Sequence, residues 1–95
     1  MAEVRLIARN VAREGKAAEL KELLKQMVKP TQAEAGCKLY ELLESNQPGV
    51  FIFNELWESK AHLDAHMASA RFKEIHAQTK ELVAEGQVDF LKKVE

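Results

Sequence analysis

The chain has 95 residues, of which 46% are hydrophobic and 31% charged, a balance that suits one globular core and is too small for two. Its 14 Lys and Arg against 15 Asp and Glu give a formal net charge of -1, with the basic residues scattered along the chain, so nucleic acid is not an expected partner. No apolar run approaches the roughly 20 residues of a membrane span, the first residues lack a signal-peptide pattern, and Cys37 is the lone cysteine; a single soluble cytoplasmic domain over residues 1–95 is expected.

Val4 to Val11 alternates, with Val4, Leu6 and Ala8 on one side and Arg5, Ile7 and Arg9 on the other, the period of a strand. After Gly15, Ala17, Leu20, Leu24 and Met27 recur at helical spacing opposite Lys21, Glu22 and Lys25. Pro30 predicts a kink or restart in that helix, and Gly36 suits its end. Lys38 to Glu44 and Val50 to Trp57 are strand-like and flank Ser45-Asn46-Gln47-Pro48-Gly49, which predicts a hairpin. Ser59 is placed to cap a short helix through His66. Ser69 is placed to start another, carrying Phe72, Ile75, His76, Thr79, Leu82 and Val83 on its apolar side and closed by Gly86. Val88 to Val94 alternates again. The order β-α-β-β-α-β predicts an α+β, ferredoxin-like fold, with the helical segments on one face of a four-stranded antiparallel sheet.

Both faces of the third strand are apolar: Phe51, Phe53 and Trp57 point one way, Val50, Ile52 and Leu56 the other. Helices from one chain cover one face only. The other, left in water, costs about 25 cal/mol per Å², so a homodimer through the sheet face is expected. The alternative is a partly polar face tolerated in water, since Arg5, Arg9 and Asn54 interrupt it.

Pro30-Thr31-x-Ala33-Glu34-x-Gly36-Cys37, Tyr40-Glu41-Leu42, Glu55-x-Trp57-Glu58-Ser59, His62-Leu63-x-Ala65-His66-Met67 and Ser69-x-x-Phe72 follow one another along the chain. This run resembles the antibiotic biosynthesis monooxygenase family, and within it the small bacterial quinol monooxygenases. The resemblance implies a dimeric α+β barrel with one pocket per subunit between sheet and helices. It also implies oxygenation of a small aromatic substrate by molecular oxygen without flavin, haem or metal. Gly15, Gly36, Gly49 and Gly86 are too dispersed for a dinucleotide or phosphate loop, so no cofactor motif is visible. Haem-degrading relatives carry an asparagine on the first strand and a helical tryptophan where this chain has Ala8 and His66.

His76 and His66 are the candidate bases. His76 falls on the apolar side of its predicted helix, where partial burial favours a neutral imidazole able to take a phenolic proton; the alternative is a histidine at the core edge. His66 borders the buried side of the short helix, with pairing to a carbonyl as its alternative. His62 and His66 have the spacing to share a metal but lack an evident third ligand, so no metal is expected. Glu55 shares a strand face with Phe53 and Trp57, a face that fronts the pocket in the resembling family, and is a candidate to assist a histidine or act as base. Trp57 is a candidate to stack on a flat substrate, or is core. Phe53, Phe72 and Tyr40 are candidate lining residues, and Asn10 a candidate donor to a substrate oxygen or a strand-end turn residue. The same base and pocket also suit two other functions, an isomerase of a small carbonyl compound and a non-catalytic ligand-binding dimer.

Overall fold

The computed structural model describes residues 2–95. Its elements are β1 (Val4–Ala12), α1 (Ala17–Gln32), β2 (Cys37–Glu44), β3 (Val50–Trp57), α2 (Lys60–Ala68), α3 (Ala70–Thr79) and β4 (Val83–Leu91). The strands form one antiparallel sheet in the order β2-β3-β1-β4. This is the ferredoxin-like α+β arrangement, with its second helical segment broken into α2 and α3.

The strand period puts Tyr40, Glu55, Leu6 and Phe90 in one row across the sheet, through the register pairs Tyr40↔Glu55, Leu6↔Glu55 and Leu6↔Phe90. Leu20, Leu24 and Met27, one face of α1, pack with Phe51, Phe53 and Trp57 of β3, and Leu63, Ile75 and Leu82 complete the cluster. Each such side chain contributes roughly 1.5–3 kcal/mol when fully buried. Ile7, Leu39, Leu43, Ile52 and Leu56 take no part in that cluster and sit on the opposite face, where Leu43 is 45% exposed.

Two local expectations are corrected. Pro30 does not restart α1, which runs on through it to Gln32. Proline lacks the amide that would donate to the carbonyl of Gln26, one bond of the ladder, and the rest of the helix carries through it. The helix carrying His76 ends at Thr79, so Leu82 and Val83 are not on it and Gly86 lies inside β4 and does not close it. Leu82 N–H turns back to Thr79 O at 2.9 Å and Leu82 O accepts from Arg13 N–H at 2.8 Å, which carries the chain into the β4 ladder at Val83. The last strand therefore spans Val83–Leu91 and ends before Val94. Ladder pairing to β1, with a bulge between Val11 and Ala12, overrides the helical spacing of Leu82 and Val83.

Candidate active site

Between the helix-covered sheet face and the three helices lies a cavity of about 370 Å³. Its walls are mostly apolar, with Leu6, Ala8, Leu24, Met27, Phe53, Leu63 and Ile75 among them, and His66, Glu55, Tyr40 and Thr79 bring polar atoms to it. A larger hollow of about 690 Å³ along α1 and β2 is open to solvent and carries Lys21, Lys25, Lys29, Glu41 and Glu44. Its charges stay hydrated and it holds no buried polar group, so the smaller cavity, which brings buried polar side chains to an apolar wall and opens past Val88 and Phe90 of β4, is the candidate site.

His66 is delivered by α2. Ser59 caps that helix, its Oγ accepting from His62 N–H at 3.3 Å and pairing with His62 Nδ1 at 2.8 Å. Two turns on, His66 is 2% exposed. Its ring lies 4.8 Å from Trp57, 5.1 Å from Phe72 and 5.7 Å from Tyr40, centroid to centroid. Nδ1 is 3.0 Å from Glu34 Oε1. Glu34 belongs to the turn after α1, where its N–H donates to Thr31 O at 3.0 Å and its carbonyl accepts from Cys37 N–H at 3.2 Å. At the end of α2, Ser69 Oγ donates to His66 O at 2.7 Å and accepts from Phe72 N–H at 3.2 Å, so one hydroxyl joins α2 to α3.

On β3, Glu55 is 5% exposed and accepts the indole N–H of Trp57 at 2.9 Å. Burial pushes its carboxyl above the ordinary value; the Trp57 bond and nearby His66 pull the other way, and Glu34 pushes further up. Tyr40 is 3% exposed and its phenol is driven strongly upward by burial and then by Glu55, so it remains an O–H donor. The Thr31 hydroxyl lies toward that phenol, is itself fully buried, and makes no well-formed hydrogen bond. The arrangement is an apolar chamber with one buried imidazole, one buried carboxyl and one phenol at its wall. It is able to hold a flat hydroxylated molecule and move a proton.

The family model described as antibiotic biosynthesis monooxygenase matches residues 3–78. The chain belongs to this family. It is 38% identical over 80 residues to "Putative monooxygenase Rv0793" of Mycobacterium tuberculosis, covering 84% of this chain and 79% of that one. The solved structure of Rv0793 superposes with a TM-score of 0.92 at 34% identity over 99% of this chain and 97% of that chain. PA3566 of Pseudomonas aeruginosa superposes with a TM-score of 0.93 at 28% identity over 100% and 97%. Membership places the chain, at family level, among monooxygenase-type oxidoreductases. No helix among the described residues is long and apolar enough to cross a membrane.

Of the residues singled out from sequence, this antibiotic biosynthesis monooxygenase domain gathers His66, Glu55, Phe53, Tyr40, Phe72, Asn10 and His76 around the cavity. One expectation changes and two open alternatives are decided. His76 is exposed where partial burial was expected: it stacks on Phe72 at 5.5 Å at the cavity rim, because α3 turns its far side to solvent. Trp57 is 0% exposed and does not reach the cavity; it backs the His66 ring and holds Glu55, so it belongs to the core and cannot stack on a substrate. His66 pairs with a carboxylate and not with a carbonyl. Asn10 Nδ2 reaches Ala8 O at 3.4 Å, a weak local contact beside the cavity. His62 is held by Ser59 against Gly36, away from His66, and the described residues contain no group of three or more His, Cys, Asp or Glu side chains placed to hold a metal. Glu34 was visible only as one letter of the Ala33-Glu34-x-Gly36 run, and nothing in its spacing points to His66, 32 positions away.

Proposed function

We propose that the chain is a cofactor-independent monooxygenase of a small aromatic, quinol-type substrate, with His66 as the base. The observation that carries this reading is the largely apolar cavity with a single buried imidazole at its wall. His66 accepts a phenolic proton, and the electron-rich anion passes one electron to molecular oxygen. The superoxide and ring radical combine at a ring carbon, and the peroxide takes back the proton held by His66. The resulting hydroperoxide then loses water, its O–O bond breaking as the ring C–H gives up a proton, and leaves a new carbonyl. One oxygen atom enters the product and the other leaves as water. The substrate supplies all four electrons, so no reductant is needed. Phe53, Phe72 and Tyr40 hold the ring, the Tyr40 O–H and Asn10 amide are donors for substrate oxygens, and Glu55 bears on the proton transfer beside His66. His76, at the rim, serves substrate entry.

The test is oxygen uptake by the metal-free protein over a panel of mono-, bi- and tricyclic hydroquinones, with isotopically labelled oxygen traced into product. Uptake above autoxidation that drops by about 10²–10⁴-fold in His66→Ala supports the reading. No uptake above autoxidation, or equal uptake in His66→Ala, ends it. Turnover of a carbonyl compound under nitrogen would assign isomerisation instead.

We further propose that a second copy covers the outer sheet face. Support comes from Ile7, Leu39, Leu43, Ile52 and Leu56, apolar residues outside the chain's own core cluster. Ile52→Lys is expected to elute as a monomer at concentrations where the parent is dimeric. A variant still dimeric places the interface elsewhere.

A further inference from the structure

We infer that Glu34 is a positioning residue: its carboxylate takes the Nδ1 proton of His66 and thereby leaves the Nε2 lone pair for the cavity. Nδ1 and Glu34 Oε1 are 3.0 Å apart, and the histidine is 2% exposed. Nε2 has no hydrogen-bond partner among the described residues, yet it is not among the polar atoms sealed from solvent, of which Thr31 Oγ1 is the one left unpaired. The residue itself lines the cavity. The open ring nitrogen therefore looks into the chamber.

A neutral imidazole in water prefers its proton on Nε2, which would turn the cavity-facing nitrogen into a donor unable to accept a proton. A carboxylate at Nδ1 reverses that preference, because a charged acceptor makes about twice as strong a bond as a neutral one. Ring orientation is over-determined as well. Trp57 lies across one side of the imidazole with the planes 32° apart, while Phe72 and Tyr40 approach at 70° and 63°. A ring flip would exchange the two nitrogens and would have to displace these aromatics. Glu34 is in turn fixed by its own backbone bonds to Thr31 and Cys37. The consequence for turnover rests on the reading of His66 as the base; the tautomer does not.

Long-range ¹H–¹⁵N spectra of the ¹⁵N-histidine-labelled full chain, assigned with His62→Ala and His76→Ala, read the ring directly and need no substrate. The expected result is a His66 ring protonated at Nδ1 and unprotonated at Nε2. In Glu34→Ala the proton should move mainly to Nε2. In Glu34→Gln, whose amide oxygen still accepts, it should remain on Nδ1. On any hydroquinone that is turned over, Glu34→Ala should lose at least about tenfold in kcat with little change in KM, and Glu34→Gln should recover part of it. A parent protein with Nε2 protonated, or a tautomer unchanged in Glu34→Ala, would each overturn the inference. Should Glu34→Ala fail to fold, the parent and Glu34→Gln spectra decide it alone. The expected tautomer without any oxygen uptake would defeat the monooxygenase reading and leave this inference standing.

Discussion

Gly36→Ala is expected to be among the most damaging single-methyl additions in the chain. Gly36 has φ +79, and a Cβ built there would lie 2.2 Å from His62 Cγ, 2.4 Å from Cδ2 and 2.7 Å from Cβ. The left-handed backbone costs an alanine roughly 1–2 kcal/mol. Moving the His62 ring aside breaks its 2.8 Å bond to Ser59, about 1 kcal/mol, and the remaining overlap adds roughly 1–3 kcal/mol. The Gly36 carbonyl also accepts from Glu58 N–H at 2.7 Å, so the strain reaches the start of α2 directly. Together these amount to roughly 3–6 kcal/mol, or a drop of at least about 12 °C in Tm for a domain of this size. The assay is urea unfolding with a thermal melt at fixed protein concentration, repeated in a His62→Ala background. There the two ring contacts vanish while the contact at Cβ remains, so the penalty of Gly36→Ala should shrink by about 1–2 kcal/mol. Parent-like stability of Gly36→Ala, or an equal penalty in both backgrounds, would refute the reasoning.

Two further expectations concern the Glu55–Trp57 pair. Because burial holds the folded-state carboxyl above its ordinary value near 4.5, the folded state keeps a proton that the unfolded chain has already released. The parent therefore loses stability as pH rises from about 4.5 through the raised folded value, then levels off. Glu55→Gln lacks that penalty and still accepts the indole N–H, so its advantage over the parent should grow across this window in urea midpoints taken at successive pH values; a flat or reversed difference contradicts the argument. Trp57→Phe removes the 2.9 Å bond to Glu55 and leaves space behind His66. A loss of about 2–4 kcal/mol follows, with the Glu55 titration displaced further upward in carboxyl-detected NMR; an unshifted titration would mean that the indole bond does not govern this group.

What could be read from the chain alone divides along a physical line. β1 and the β2–β3 hairpin follow from side-chain alternation and the turn residues 45–49, because strand faces have a period that local sequence carries. The end of α3 does not: Leu82 and Val83 continue the spacing set by Ile75 and Thr79, and only the ladder to β1 shows that they have left the helix. Pro30 misled in the opposite sense, since the one ladder bond it lacks does not stop the helix. At the site, His66 was legible because adjacency to Leu63 and Met67 marks a helix face. Trp57 was placed on the correct face with its depth left open between core and pocket, since face is periodic and depth is set by what packs above it. The pairing of Glu34 with His66 joins two segments through the fold and has no local signature.

Ser69 has a mechanical consequence. Its single hydroxyl grips the carbonyl of His66 and the amide of Phe72 at once, so the roof of the cavity behaves as a two-armed lever with its fulcrum at one side chain. Displacing the roof at His66 moves Phe72 with it or snaps the fulcrum, so the buried imidazole and the phenyl ring at the cavity wall shift as a set.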